Sequence, residues 1–173
     1  MTALQIVTAT SETEIEAIQQ LCRGFVSWLL EEFPEKRDAI TTYFEPVKWH
    51  KTLVDLPDIH ARPKGAMLLA TLNGNAVGCI MYHQMEPGIA EIKRLFVSKD
   101  ARGTGAGKAL VAAVLERITA DGYNLARLDT THFLTAAVAL YKRAGFEECE
   151  PFIDFPEDIQ NIAVFMDRPV GGI

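Results

Sequence analysis

The residue types and spacing best suited to chemistry lie in one short run, Arg102-Gly103-Thr104-Gly105-Ala106-Gly107-Lys108. Its three alternating glycines leave the backbone bare, so main-chain N–H groups can approach a ligand closely. A helical pattern follows at once, with Leu110, Val111, Val114, Leu115 and Ile118 on one face. The first turn of a helix offers N–H groups that no carbonyl accepts, together with the positive end of the helix dipole. A phosphate or pyrophosphate is the expected occupant. Two phosphate motifs fail here. The dinucleotide fingerprint G-x-G-x-x-G, started at Gly103, needs a glycine at Lys108. The P-loop needs a glycine at Arg102 and a hydroxyl at Ala109. The pattern that remains is R-x-x-G-x-G, at Arg102, Gly105 and Gly107.

Other chemistries find little support. His50, His60, His83 and His132 are scattered, with no metal-ligand spacing, and no metal site is expected. Cys22, Cys79 and Cys149 are odd in number and widely spaced, which argues against a disulfide framework and for a reducing compartment. Cys79 falls in a predicted central strand with no evident base, a poor setting for an acyl carrier. The net charge of −6 and the lack of a basic stripe argue against nucleic acid. An acidic surface would suit a cationic substrate, although acidity also serves solubility. The N-terminus lacks a basic segment followed by an apolar run, and stretches such as Ala66 to Ala70 are too short to span a bilayer. A cytoplasmic protein without membrane partners is expected.

The elements that must position the loop can be read from periodicity. The chain has 173 residues, 49% hydrophobic and 23% charged, enough for one domain over residues 1–173 with its own core. Leu4 to Val7 reads as a strand, and Ser11-Glu12-Thr13-Glu14 is a capping box opening a helix. Residues 36–63 are expected to form short helices and a loop, broken by Pro46, Pro57 and Pro63. Asn73-Gly74 between apolar runs predicts a hairpin, and Glu86-Pro87-Gly88 a second turn before a strand over Ile89 to Val97. After the loop and its helix come a strand at Leu125 to Thr130, a helix at Ala136 to Ala144 and a strand at Ile162 to Met166. This order implies a mixed α/β (α+β) fold with helices on both faces of a sheet.

The loop R-x-x-G-x-G resembles the pyrophosphate-binding loop of the GNAT superfamily of N-acetyltransferases. The likeness extends upstream to Glu91-Ile92-Lys93-Arg94-Leu95-Phe96-Val97, similar to the family's fourth strand. Downstream it reaches Ala137 and Leu140-Tyr141-Lys142-Arg143-Ala144-Gly145-Phe146, similar to its A-x-x-L-Y-x-x-x-G-F block. It covers about Ala66 to Phe146, while the N-terminal 65 residues match only in element order. The resemblance implies a GNAT-like fold: a mostly antiparallel sheet of about six or seven strands, splayed at a cofactor cleft. It implies transfer of an acetyl group from acetyl-CoA to a primary amine, directly within a ternary complex and without a metal.

On this likeness, main-chain groups of Leu95, Phe96 and Val97 would pair with the pantetheine arm, and the Val97 N–H or a neighbour would receive the oxyanion. Gly103, Thr104, Gly105, Ala106, Gly107 and Lys108 would hold the pyrophosphate, with Arg102 beside it. Tyr141 matches the residue that protonates the departing CoA sulfur. Glu91 falls where some members carry a general base, although a paired strand glutamate reads equally well. Lys108, Lys142 and Arg143 could meet the ribose phosphate. The chain departs from the family at Leu134, where many members have Asn; Thr131 or Thr135 could replace that contact. The acceptor, a small-molecule or peptide amine, should be selected by the N-terminal helices and residues 33–63, with Tyr43 and Trp49 as candidates. Members often dimerise, so a homodimer is an expectation. The alternative function is a non-catalytic acyl-CoA-binding sensor.

Overall fold

The computed structural model describes residues 3–171. Its elements run β1 (Leu4–Thr8), α1 (Glu12–Glu32), a 3-10 turn at Pro34–Lys36, α2 (Arg37–Tyr43), α3 (Pro46–Ile59), β2 (Ala66–Leu72), β3 (Asn75–Glu86) and β4 (Ile89–Val97). A 3-10 turn at Lys99–Ala101 leads to α4 (Ala106–Ala120), then β5 (Leu125–Thr131), α5 (Thr135–Arg143), β6 (Glu147–Glu148), α6 (Glu157–Gln160) and β7 (Ala163–Pro169).

Local chemistry explains most boundaries. The Ser11 hydroxyl accepts the Glu14 N–H at 3.3 Å, and the Glu14 carboxylate accepts the Ser11 N–H at 3.0 Å, closing the capping box of α1. The β2–β3 hairpin turns on Asn73 and Gly74, with φ of 53° and 83°, the conformation that a tight two-residue turn requires. Residues 36–63 are more helical than expected. Pro46 is the first residue of α3, where no N–H is needed, and the Glu45 carboxylate caps the helix by accepting from Val47 and Lys48. Pro57 lies in the last turn of the same helix, which ends at Ile59. β6 and α6 were not foreseen, because elements of two and four residues carry no periodic signal.

The sheet order is β1-β2-β3-β4-β5-β7-β6, antiparallel at every pairing except β4 with β5. Helices cover both faces. Ile18, Leu21 and Cys22 of α1 and Leu53 and Leu56 of α3 pack on Met67, Leu69, Cys79 and Met81. Leu110, Val114 and Ile118 of α4 pack on Leu68, Ile80, Ile92 and Leu128 from the other side. Strand side chains alternate between faces, so a strand buried on both must be apolar throughout, as Ala66-Met67-Leu68-Leu69-Ala70 is.

Two irregularities shape the middle of the sheet. β4 and β5 pair only from Ile89 to Glu91 against Leu125 to Arg127, and beyond this the strands part. β4 also carries a bulge. Lys93 lies opposite Met81 and Phe96 opposite Cys79, so Arg94 and Leu95 together face Ile80. Arg94 has φ of 62°, unusual for a residue with a side chain. Gly78 accommodates the kink from the neighbouring strand: a Cβ there would stand 2.8 Å from the Phe96 carbonyl oxygen.

Candidate active site

The glycine loop turns the chain from β4 into α4. Gly103 and Gly105 have φ of 81° and 87°, and nothing would crowd a Cβ at either, so left-handed backbone rather than space calls for glycine. Gly105 caps α4 without a side chain, leaving the first-turn N–H groups of Ala106, Gly107 and Lys108 without helical partners. Thr104 serves the turn itself, since its N–H and its hydroxyl both donate to the Ala101 carbonyl, at 3.3 and 2.6 Å. Gly107 permits close packing of α4 on α5; its Cβ would lie 3.2 Å from Leu140.

A groove of about 520 Å³ runs from this loop along the splay. Leu95, Phe96 and Val97 form one wall and Leu134 to Ala137, at the start of α5, the other, with Phe25 and Trp28 of α1 above. The Arg102 guanidinium lies 4.3 Å from the Trp28 ring, joining the loop to α1 through a cation–π contact. Ser98 donates its N–H to the Val77 carbonyl at 2.8 Å. Bonded and non-bonded positions alternate along an antiparallel pair, so Val97 directs its N–H and carbonyl away from β3, toward the splay.

A second cavity, of about 120 Å³, lies where β4 and β5 diverge. Ile92 to Leu95 line it from β4 and Asp129 to Thr131 from β5, with Tyr141 from α5. Leu29, Ile40, Tyr43, Phe44, Phe155 and Ile159 complete its apolar walls. Phe25, Leu95, Phe133, Leu134 and Ala137 line both spaces, so groove and cavity meet at the bulge.

Tyr141 is buried and packs edge-to-face on Phe146, ring centres 5.6 Å apart. Burial, reinforced by the negative charge of Asp129, raises its phenol pKa well above the ordinary value, so it stays protonated through the physiological range. Behind the cavity runs a chain of charges. Lys93 Nζ lies 2.9 Å from Asp129 Oδ1 and 2.7 Å from Glu91 Oε1, the latter contact off the line of a hydrogen bond. His83 Nε2 lies 3.0 Å from Glu91 Oε2. Burial would raise the Glu91 pKa, but His83 and Lys93 outweigh it and bring the carboxyl down to about 2. For Lys93, burial favours the neutral amine, yet Tyr43, Asp129 and Glu91 outweigh it and leave the pKa raised.

Residues 23–146, well over half of the sequence, match the pattern of the Acetyltransferase (GNAT) family. The chain belongs to that family. An uncharacterized N-acetyltransferase of Schizosaccharomyces pombe is 40% identical over 96 residues, 54% of this chain and 59% of that protein, so the chain matches less than two thirds of this relative. An IAA acetyltransferase of Azospirillum brasilense is 32% identical over 119 residues, 68% of this chain and 76% of that protein. The crystal structure of PaiA N-acetyltransferase from Thermoplasma acidophilum in complex with coenzyme A superposes with a TM-score of 0.69 at 16% identity, covering 96% of this chain and 99% of that one, a likeness of fold.

In this GNAT family member the residues singled out in the sequence gather unevenly. Leu95, Phe96, Val97, Arg102, Gly103, Gly105, Ala106, Gly107 and Lys108 all border the groove, while Thr104 uses its donors within the loop. Tyr141 borders the cavity; Glu91 stands behind Lys93, outside the cavity lining. Leu134 occupies the N-cap of α5 and makes no side-chain cap. Thr135 borders the groove, and Thr131 borders the cavity with a buried hydroxyl that has no hydrogen-bond partner among the described residues. Arg143 borders the groove, whereas Lys142 pairs with Glu148 at 2.8 Å. Lys93, Arg94 and Asp129, none of them singled out in the sequence, also border the cavity. Asp129 looked like one acid in a strand, and only the bulge turns consecutive β4 residues toward one space. Among the described residues no cluster of three or more His, Cys, Asp or Glu could hold a metal, and no helix is long and apolar enough to cross a membrane.

Proposed function

We propose that the protein transfers the acetyl group of acetyl-CoA directly to a primary amine within a ternary complex. The observation that carries this reading is the meeting of groove and cavity at the bulge. A cofactor with its pyrophosphate on the α4 N-terminus and its pantetheine arm along Leu95 to Val97 has its thioester at that junction. An amine in the cavity then faces the carbonyl carbon. The PaiA structure holds coenzyme A in the same fold, which supports an acyl-CoA as the donor.

The chemistry follows from the groups present. An amine with a pKa near 10.4 is deprotonated in about one molecule in a thousand or fewer at pH 7, so its proton must be accepted locally. Asp129 borders the cavity and takes this role, directly or through water. Glu91, ionised and tied to His83 and Lys93, is a positioning residue that holds Lys93 against Asp129. The amine nitrogen bonds to the carbonyl carbon, and the oxyanion is received by the Val97 N–H or its neighbour. As the C–S bond breaks, the Tyr141 phenol gives its proton to the thiolate and is restored by the second proton that the nitrogen sheds, leaving N-acetylated amine and CoA thiol.

Replacing Tyr141 by Phe tests the assignment. Calorimetry should find acetyl-CoA affinity within about threefold of the parent while kcat falls about a hundredfold or more. Acetyl-CoA binding by a parent protein that turns over no amine would instead favour the sensor, the reading that Leu134 at the α5 cap keeps in view.

A further inference from the structure

Arg94 is the cation of the cavity whose charge is left over. Lys93, beside it, is matched by both Glu91 and Asp129. Among the described residues no carboxylate lies within ion-pair distance of Arg94. Its guanidinium is instead enclosed by aromatic rings, 4.7 Å from the centre of Trp49, 5.5 Å from Phe44 and 6.0 Å from Tyr43. The rings crowd the guanidinium and shed water from it. The N–H edge remains, with a geometry that matches a carboxylate through two parallel hydrogen bonds.

The backbone is bent to place this side chain. In a regular strand successive side chains alternate between faces, so Lys93, Arg94 and Leu95 could not all border one cavity. The bulge opposite Ile80, with Arg94 at φ 62°, brings them together. Left-handed backbone at a residue with a Cβ is strained, and here it turns Arg94 into the cavity. A second polar group awaits a partner in the same cavity, the buried hydroxyl of Thr131.

We propose that the acceptor is a small amine that also bears a carboxylate and an apolar substituent, an apolar amino acid in its free form, with its carboxylate on Arg94. The inference rests on the N-acetyl transfer reading and specifies its substrate. Arg94 on β4 and Asp129 on β5 border the cavity from facing strands. The carboxylate end therefore goes to Arg94 while the amine goes to Asp129 and the thioester. Apolar walls from Leu29, Ile40, Phe44 and Ile159 take the side chain. The cavity, of about 120 Å³, is on the scale of one small molecule.

The test is CoA release by the full chain with matched acceptors: leucine, leucinamide and 3-methylbutylamine, and the corresponding phenylalanine set. Each acid should exceed its amide and its decarboxylated amine by about ten- to a hundredfold in kcat/KM, the scale of a charge-assisted hydrogen-bonded pair. Arg94→Gln should bring that ratio to within about threefold of unity, and Arg94→Lys should keep part of it. Acetyl-CoA affinity, measured by calorimetry on the same variants, should stay within about threefold of the parent and shows that they are folded. The proposal is overturned if the amides or amines are preferred, or if Arg94→Gln slows acid and amine alike. It is equally overturned if the protein binds acetyl-CoA yet acetylates none of the acids. Failure of the parent to bind acetyl-CoA is a different result: it removes the N-acetyl transfer reading and this inference with it.

Discussion

At the scale of single residues, two carboxylates in one charge chain have opposite prospects. Glu91 has a pKa near 2 because His83 and Lys93 hold its ionised form, and a base that weak gains little by accepting a proton at neutral pH. Asp129 shares Lys93 but borders the cavity. Asp129→Asn keeps the shape and an acceptor for Lys93 while removing the base. We expect kcat to fall about a hundredfold or more, with acetyl-CoA affinity within about threefold, in a stopped-time assay of CoA release. A kcat within about threefold of the parent would remove Asp129 from the mechanism. Tyr141, which borders the cavity, stands out in the sequence because its motif is local. Asp129 does not stand out there, because the partners that single out this acid, Lys93 and the parted strand β4, lie far away in sequence.

At the scale of elements, the glycine loop, the capping box and the Asn73-Gly74 hairpin were all legible, since each depends on a backbone conformation set by a few adjacent residues. The bulge and the splay were not. Both arise from how β4 meets its neighbours, and a strand reading of Ile89 to Val97 has no means of distinguishing a paired residue from a parted one. The α2–α3 region was under-read for a related reason: proline at a first helical position looks like a breaker until the Glu45 cap is seen. The loop makes a prediction at this scale. Gly105→Ala places a Cβ on backbone with φ of 87°, and should cost about 1–2 kcal/mol in denaturant unfolding. It should also weaken acetyl-CoA binding about tenfold or more, because the strained cap re-aims the N–H groups that follow it. Unchanged affinity would mean that the pyrophosphate sits elsewhere.

At the scale of the whole molecule, two buried groups shape how stability depends on pH. His60 donates from Nδ1 to the Tyr82 carbonyl at 2.9 Å, which fixes its neutral tautomer, and burial lowers its pKa from 6.5 to about 4. Between these values the unfolded chain binds the proton and the folded one does not, so stability falls as pH drops from 6.5 toward 4. Glu91, lowered from 4.5 to about 2, adds stability that is present above 4.5 and lost as pH falls toward 2. Thermal melts across this range should therefore show a decline beginning near pH 6.5 and steepening below 4.5. His60→Gln should flatten the first part and Glu91→Gln the second. A parent protein with no change in melting temperature between pH 6.5 and 4 would contradict the account of His60.

The central claim is that the space between β4 and α5 is built for acetyl-CoA, and calorimetric titration with acetyl-CoA, beside ATP and NAD, tests it most directly. Saturable one-to-one binding of acetyl-CoA, with no comparable heat from ATP or NAD, is the predicted result. Preference for ATP or NAD, or no binding of acetyl-CoA, would contradict it and leave Arg102 to Lys108 as a different anion site or a turn shaped only by packing.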